Sequence, residues 1–288
     1  MQIHLQSTQL KIAINSLGAE LCSIKNINSI EFIWQASPSV WPRHAPVLFP
    51  IVGKLKDDFF CYNNKKHELS QHGFARDLDF ELKEADTDSC TFELKQTNKT
   101  KINFPFDFTF QIKYLLLENT LVTKYAVFNP SNEPIFFSVG AHPGFNCPLL
   151  PNETFEDYYL EFEKEEFSQT LLNNGLRFDT KKSLIFPNKK LSLNKELFSN
   201  DALVFENKQV NCISLCSSKS NHKITLKCTN WPYFGIWSKK GSGEFVCLEP
   251  WYGVADSHHS NNEVTKKEGI IELASQTEFV CDFALIFT

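Results

Sequence analysis

Hydrophobic and polar positions alternate with a period of two along most of this chain, the signature of half-buried β-strands. The stretch "FTFQIKY" sets Phe108, Phe110, Ile112 and Tyr114 on one face and Thr109, Gln111 and Lys113 on the other. A polar turn, "LENT", and the run "LVTKYAVFN" follow, so the pair reads as a β-hairpin. Near the C-terminus, "FVCDFALIF" sets Phe279, Cys281, Phe283, Leu285 and Phe287 against a more mixed face. "HKITLKC" and "TFELKQ" repeat the pattern. Helical signals are few, and a short helical turn is expected within "NNEVTKKEGIIELA". Hairpin-sized spacing runs from residue 3 to residue 287, with no low-complexity tract and no Ser/Gly/Pro linker. The fold class is therefore all-β: one large antiparallel β-sandwich domain over residues 1–288, with two sheets face to face. Long loops are expected at 38–60 and 143–158, and long loops often carry function.

Composition sharpens this picture. The 27 Phe suit pleated, half-buried surfaces. Hydrophobic residues at 42% and charged residues at 22% give ample core for a soluble globular protein. A net charge of -5 with scattered lysines offers no footprint for nucleic acid. The N-terminal stretch alternates from the start and lacks the apolar core of a secretory signal. No apolar run approaches the ~18 residues of a membrane span. The nine cysteines include no "CxxC", so reduced and mostly buried thiols in a cytoplasmic protein are expected.

The candidate chemistry sits where apolar runs stop. In "FFSVGAHPGFNCPL" the run breaks at Gly140, and His142 follows just before Pro143 and Gly144. A side chain at such a strand end can face a concave surface, as a satisfied structural residue or as a proton carrier. In "VCLEPWYGVAD", Glu249 follows an apolar run and precedes Pro250 and Trp251. A carboxylate there costs desolvation free energy unless it has partners or a task. "LSQHGFARD" offers His72 and Arg76, which read equally as a turn histidine and a surface arginine paired with Asp77 or Asp79. "WPRHAPVLFPIVGKL" offers Arg43 and His44 in a Pro-rich loop, solvated or ligand-binding. Asp201 in "SNDALVFEN" is either a turn cap or a ligand. Trp41, Trp231 and Trp251 read first as core, and His258 and His259 as solvated loop residues. An imidazole and a carboxylate together make an acid–base pair. No nucleophile elbow, zinc-protease motif, P-loop or dinucleotide fingerprint occurs.

The set "HGFAR", "GAHPGFN" and "LEPWYGVAD", in that order, resembles the aldose 1-epimerase (galactose mutarotase-like) family. "GAELCSIKN" is similar to the family's opening strand pair, and "NWPYFGIWS" to the strand before its catalytic Glu. "RHAPVLFPIVGKL" marks the LacX-type branch. The resemblance covers about residues 3–287 and implies a β-supersandwich with an open sugar cleft and no metal, nucleotide or redox cofactor. It implies interconversion of the α and β anomers of a hexose, with Glu249 as general base and His142 as general acid. His72, Arg76, Arg43 and Asp201 would bind the sugar. "HGFAR" occurs similarly in a hexose-6-phosphate branch, so a sugar phosphate is a possible substrate. The implied partner is the small-molecule sugar alone, with no nucleic acid or membrane, on a monomer or homodimer. The alternatives are a non-catalytic carbohydrate-binding or sensing protein with the same cleft, and a metal enzyme using His72, His142 and Glu249.

Overall fold

The expected hairpin forms at Thr109–Leu117 and Thr120–Phe128, and its predicted inner face is buried. This is seen in a computed structural model that describes residues 1–288. The hairpin lies inside a nine-stranded antiparallel sheet, whose other central strand is the C-terminal Glu278–Phe287. Along Thr109–Leu117 buried positions alternate strictly with more exposed ones. One face of this sheet is therefore core and the other faces solvent.

A second, eight-stranded sheet faces the first across the core. Its centre is Tyr233–Trp237 beside Phe245–Tyr252, flanked by Leu203–Glu206 on one side and Val139–Ala141 on the other. Here the even-numbered side chains Phe234, Ile236, Val246 and Leu248 join the main core. Phe110 and Tyr125 of the first sheet belong to the same cluster. Phe49 bridges the layers, stacking on Phe110 at 4.6 Å and lying 5.7 Å from Phe137. The odd-numbered side chains of Phe245–Tyr252 point the other way, and that face carries the site.

Both expected long loops contain short strands. Val47–Leu48 pairs with Val139–Ala141, and Gly144–Asn146 pairs with Phe245–Tyr252. Two-residue and three-residue strands interrupted by Pro are too short to show a period. The helical turn expected within 261–274 is a single 3₁₀ turn at Val264–Lys266, followed by the Ile271–Leu273 strand. A six-residue helix at Asn98–Asn103 was not legible in the pattern. Its start is a reciprocal cap between Thr97 and Thr100, a Thr–Thr version of the usual Ser/Thr–Glu box. All nine cysteines are free and seven are buried. No helix is long and apolar enough to cross a membrane.

Candidate active site

Strand register brings His142 and Glu249 together across 107 residues of sequence. Gly140 lies opposite Trp251, and Gly144 lies opposite Cys247. The position midway between these pairs sets His142 opposite Glu249, although Pro143 interrupts the strand hydrogen bonding there. Their Nε2 and Oε2 atoms are 3.3 Å apart. On the other side of Glu249 the row continues through Gly235 to Val204. Four strands thus present one line of side chains, and the two chemical groups stand at one end of it.

Glycines pave this surface by leaving room for indoles. A Cβ on Gly140 would come within 2.7 Å of the Trp251 ring, and one on Gly235 within 2.3 Å. The Trp251 indole therefore lies flat over two backbones as the floor of a cleft. A Cβ on Gly144 would likewise strike Trp41 at 2.8 Å. Trp41 stacks on His142 at 5.0 Å, and Trp237 meets the same imidazole edge-on at 5.8 Å. The cavity above has a volume of about 620 Å³, within the ~300–1,000 Å³ typical of small-molecule sites.

Burial dominates the electrostatics. His142 is 8% exposed and Glu249 1% exposed. Desolvation lowers the His142 pKa to about 3, and the Arg76 and Arg43 charges act in the same direction. Desolvation also raises the Glu249 carboxyl well above its usual range, with the nearby Asp201 charge adding to it and the Trp251 indole opposing it. Both groups are thus driven toward their neutral forms. Apart from the 3.3 Å contact between the two groups, Glu249 Oε2, His142 Nδ1 and the Trp251 indole nitrogen are buried without hydrogen-bond partners in the protein. Such atoms are costly unless a ligand supplies what they lack.

His72 reaches the cavity through a strained turn. His72 and Gly73 both adopt positive φ, at 67° and 72°. A Cβ on Gly73 would meet the Phe49 carbonyl at 2.4 Å, so only glycine fits there. The His72 ring stands edge-on to His142 at 5.6 Å. The Gly53 N–H donates to its Nδ1 at 3.1 Å, which fixes the ring proton of the neutral form on Nε2. Burial, then His142 and the two arginines, hold its pKa well below the ordinary value.

Arg76 lines the cavity as the resemblance implied, and it also keeps the ion pair with Asp77 that the sequence offered. Its main bond is from Nη2 to the Gln71 carbonyl at 2.7 Å, and Asp77 is 3.8 Å away. Arg43 is not a lining residue. It donates to Asp77 at 2.9 Å, so Asp77 lies between the two guanidinium groups. Asp201 lines the cavity, has a φ of 79°, and accepts the Ala202 N–H with one oxygen. Its other oxygen is left for a ligand.

Of the tryptophans read first as core, Trp231 is core, Trp251 belongs to a small buried cluster and also lines the cavity, and Trp41 lines the cavity. Sequence reasoning passed over Trp237, Lys54, Gln71 and the Asn174–Gly175 turn, all of them lining residues. The glycine within the alternating run "YFGIW" was the available signal for Trp237 and its neighbours. His258, expected to be solvated, is half-buried against Phe178. Of groups able to ligate a metal, His142, Cys247 and Glu249 have donor atoms within 4.8 Å of one another.

Known proteins resemble the chain over nearly its whole length. The family model described as aldose 1-epimerase matches residues 1–272. The LacX proteins of Lactococcus lactis subsp. lactis, plasmid and chromosomal, are 32% identical over 283 residues, 95% of this chain and 95% of theirs. The solved structure of a galactose mutarotase related enzyme from Lactobacillus acidophilus matches with a TM-score of 0.96 at 35% identity, over 100% of this chain and 97% of that one. A galactose mutarotase-like protein from Lactobacillus casei matches with a TM-score of 0.92 at 29% identity, over 100% of both chains.

Proposed function

The chain belongs to the aldose 1-epimerase family, and from that membership we propose that it is a mutarotase that interconverts the α and β anomers of a hexose through His142 and Glu249. The observation that carries this reading is the 3.3 Å contact between two buried, oppositely perturbed titratable groups at the floor of the cleft.

The pair holds one proton between them. Neutral His142 with protonated Glu249 has the same proton count as an imidazolium–carboxylate pair. Proton transfer across the contact converts one into the other, with no exchange with solvent. A bound sugar supplies what the charged form needs: its C1 hydroxyl donates to the Glu249 carboxylate, and its ring oxygen accepts from His142. Glu249 then removes the C1 hydroxyl proton while His142 protonates the ring oxygen. The C1–O5 bond opens to the free aldehyde. Rotation about C1–C2 presents the other carbonyl face, and the two groups exchange roles to close the ring. General acid–base help of this kind is worth ~10²–10⁴-fold.

The remaining groups bind and orient. The free oxygen of Asp201 and the Arg76 guanidinium offer an acceptor and a donor to sugar oxygens, and the His72 Nε2–H, 3.2 Å from the Gln71 side-chain amide, is shared between that amide and the sugar. Trp251 and Trp41 give the apolar sugar faces a flat surface. Arg43 acts on the site through its charge and its shared partner Asp77, not by contact. One observation favours a phosphorylated hexose. Lys54 lines the cavity with no hydrogen-bond or ion-pair partner in the protein, and Arg76 lines it too, alongside Asp58 and Asp201. Two cations facing a ligand suit an anionic substituent.

The test is anomer exchange by NMR saturation transfer on glucose, galactose and glucose 6-phosphate, with His142→Ala as control. Faster exchange by the unmodified protein alone is the expected result. Line broadening without acceleration, unchanged in His142→Ala, would replace the enzyme with a sugar-binding protein. Lys54→Ala slowing only the phosphate ester separates the phosphorylated substrate from the free sugar.

A further inference from the structure

One side chain next to the catalytic pair has no place in the sugar chemistry. Cys247 lies two residues before Glu249 on the same face of the same strand, and directly opposite Gly144. It is completely buried, packs with Trp34 and Phe245, and makes no hydrogen bond. Its sulfur, His142 Nε2 or Nδ1 and a Glu249 oxygen lie within 4.8 Å of one another. Those donors are nitrogen, sulfur and oxygen. Glu249 is 1% exposed with Oε2 unpartnered, and the cleft above it is open to small molecules.

We propose that His142, Cys247 and Glu249 form a binding site for a thiophilic divalent cation, Zn²⁺ or Cd²⁺, which blocks the cleft when occupied. The geometry is close to what such an ion requires. Tetrahedral zinc with bonds of about 2.0–2.3 Å sets its ligands about 3.3–3.8 Å apart. The imidazole and carboxylate already stand 3.3 Å apart. The thiol closes the remaining distance, at most about 1 Å, by side-chain adjustment. His142 and Glu249 line the cavity and Cys247 lies behind them, so three protein ligands leave a fourth tetrahedral position for water.

The proton balance is explicit. Cys247 enters as the thiol. The cation displaces that proton and the one shared by His142 and Glu249, and two protons leave to solvent. The ion takes the lone pairs that the sugar mechanism uses, so it inhibits and does not assist.

The experiment is a Cd²⁺ titration of the full chain, read by the ultraviolet thiolate-to-cadmium charge-transfer band and by equilibrium dialysis. Neither signal depends on turnover, so failure here is separable from failure of the mutarotase reading. One equivalent should bind with a band. Cys247→Ser should lose the band and bind at least about tenfold more weakly, while anomer exchange without metal stays within about twofold of the unmodified protein. On unmodified protein loaded with Zn²⁺, X-ray absorption should find one sulfur among nitrogen and oxygen ligands. A band that persists in Cys247→Ser would assign the ion to Cys61 or Cys212, the two thiols that are not fully buried, and overturn the proposal. So would a shell without sulfur, or with two.

Discussion

The two large sheets solve the same packing problem with different faces. In the nine-stranded sheet, Thr109–Leu117 alternates between buried and more exposed positions along its length. In the eight-stranded sheet, seven of the eight residues of Phe245–Tyr252 are buried, on both faces. A strand covered on one face may carry charge freely on the other. A strand covered on both faces has no solvent side on which to place a carboxylate, so Glu249 within it is either a defect or a tool. The same residue type means little at Glu81 at the edge of the first sheet, where it is exposed. The difference teaches that a polar residue is informative in proportion to how apolar its surroundings are.

The sharpest way to break this comparison is Glu249→Gln. Turnover should fall by ~10²–10⁴-fold, measured by saturation transfer, with sugar binding kept and thermal stability unchanged or higher. Full activity in this variant would remove the mechanistic distinction between the sheets. The matching change in the first sheet is Phe110→Ala. It should cost ~3–5 kcal/mol by denaturant unfolding, with exchange per folded molecule unaltered.

The next effect depends on pH and follows from opposite shifts in the pair. The His142 pKa is about 3 when folded against 6.5 unperturbed, so its contribution to stability is complete above pH 6.5 and drains as pH falls toward 3. That of Glu249 has the reverse sign: it is present below 4.5 and lost as pH rises through the raised folded value. Urea unfolding from pH 7 to 4 should therefore show unmodified protein losing more stability than His142→Asn. Identical slopes would mean that His142 is not desolvated. Gly140→Ala should displace the Trp251 indole and lower kcat/KM about tenfold, ~1.4 kcal/mol, with the pH profile retained. The smallest effect belongs to the solvent face of the first sheet. Lys113→Glu, exposed and opposite Lys124, should change stability by ~0.5 kcal/mol or less and leave exchange untouched.

The first sheet was legible in the sequence because alternation records a one-sided environment directly. The hairpin at 109–128 and the terminal strand could be read residue by residue. Glu249 stood out because an apolar run framed it, and His142 because Gly140 and Pro143 marked a strand end. Their partnership was legible only through the family resemblance and not from the residues alone, since it rests on a register between strands 107 residues apart and on Pro143 not disturbing it. The tryptophans misled for a physical reason. Trp251 is 7% exposed and so resembles core by every local sign, yet its covered face is a pair of glycine backbones and its other face is the cleft. The ion pair of Arg43 with Asp77, which holds it outside the cavity lining, was not legible because a loop sequence does not fix the path of the chain.

The indole-lined wall has an optical consequence. Of the five tryptophans, Trp41, Trp237 and Trp251 border the cleft, while Trp34 and Trp231 lie in packed interior clusters. The intrinsic emission of the protein thus divides into a first part that senses what occupies the cleft, to which Trp34 is coupled because it packs against Trp41 and Trp237, and a second part, from Trp231 in the main core, that senses whether the chain is folded. A molecule that displaces water from those three rings alters the first signal and leaves the second as an internal reference. Ligands can therefore be ranked on the unlabelled protein, without waiting for a reaction whose substrate and product differ only in the configuration of one carbon.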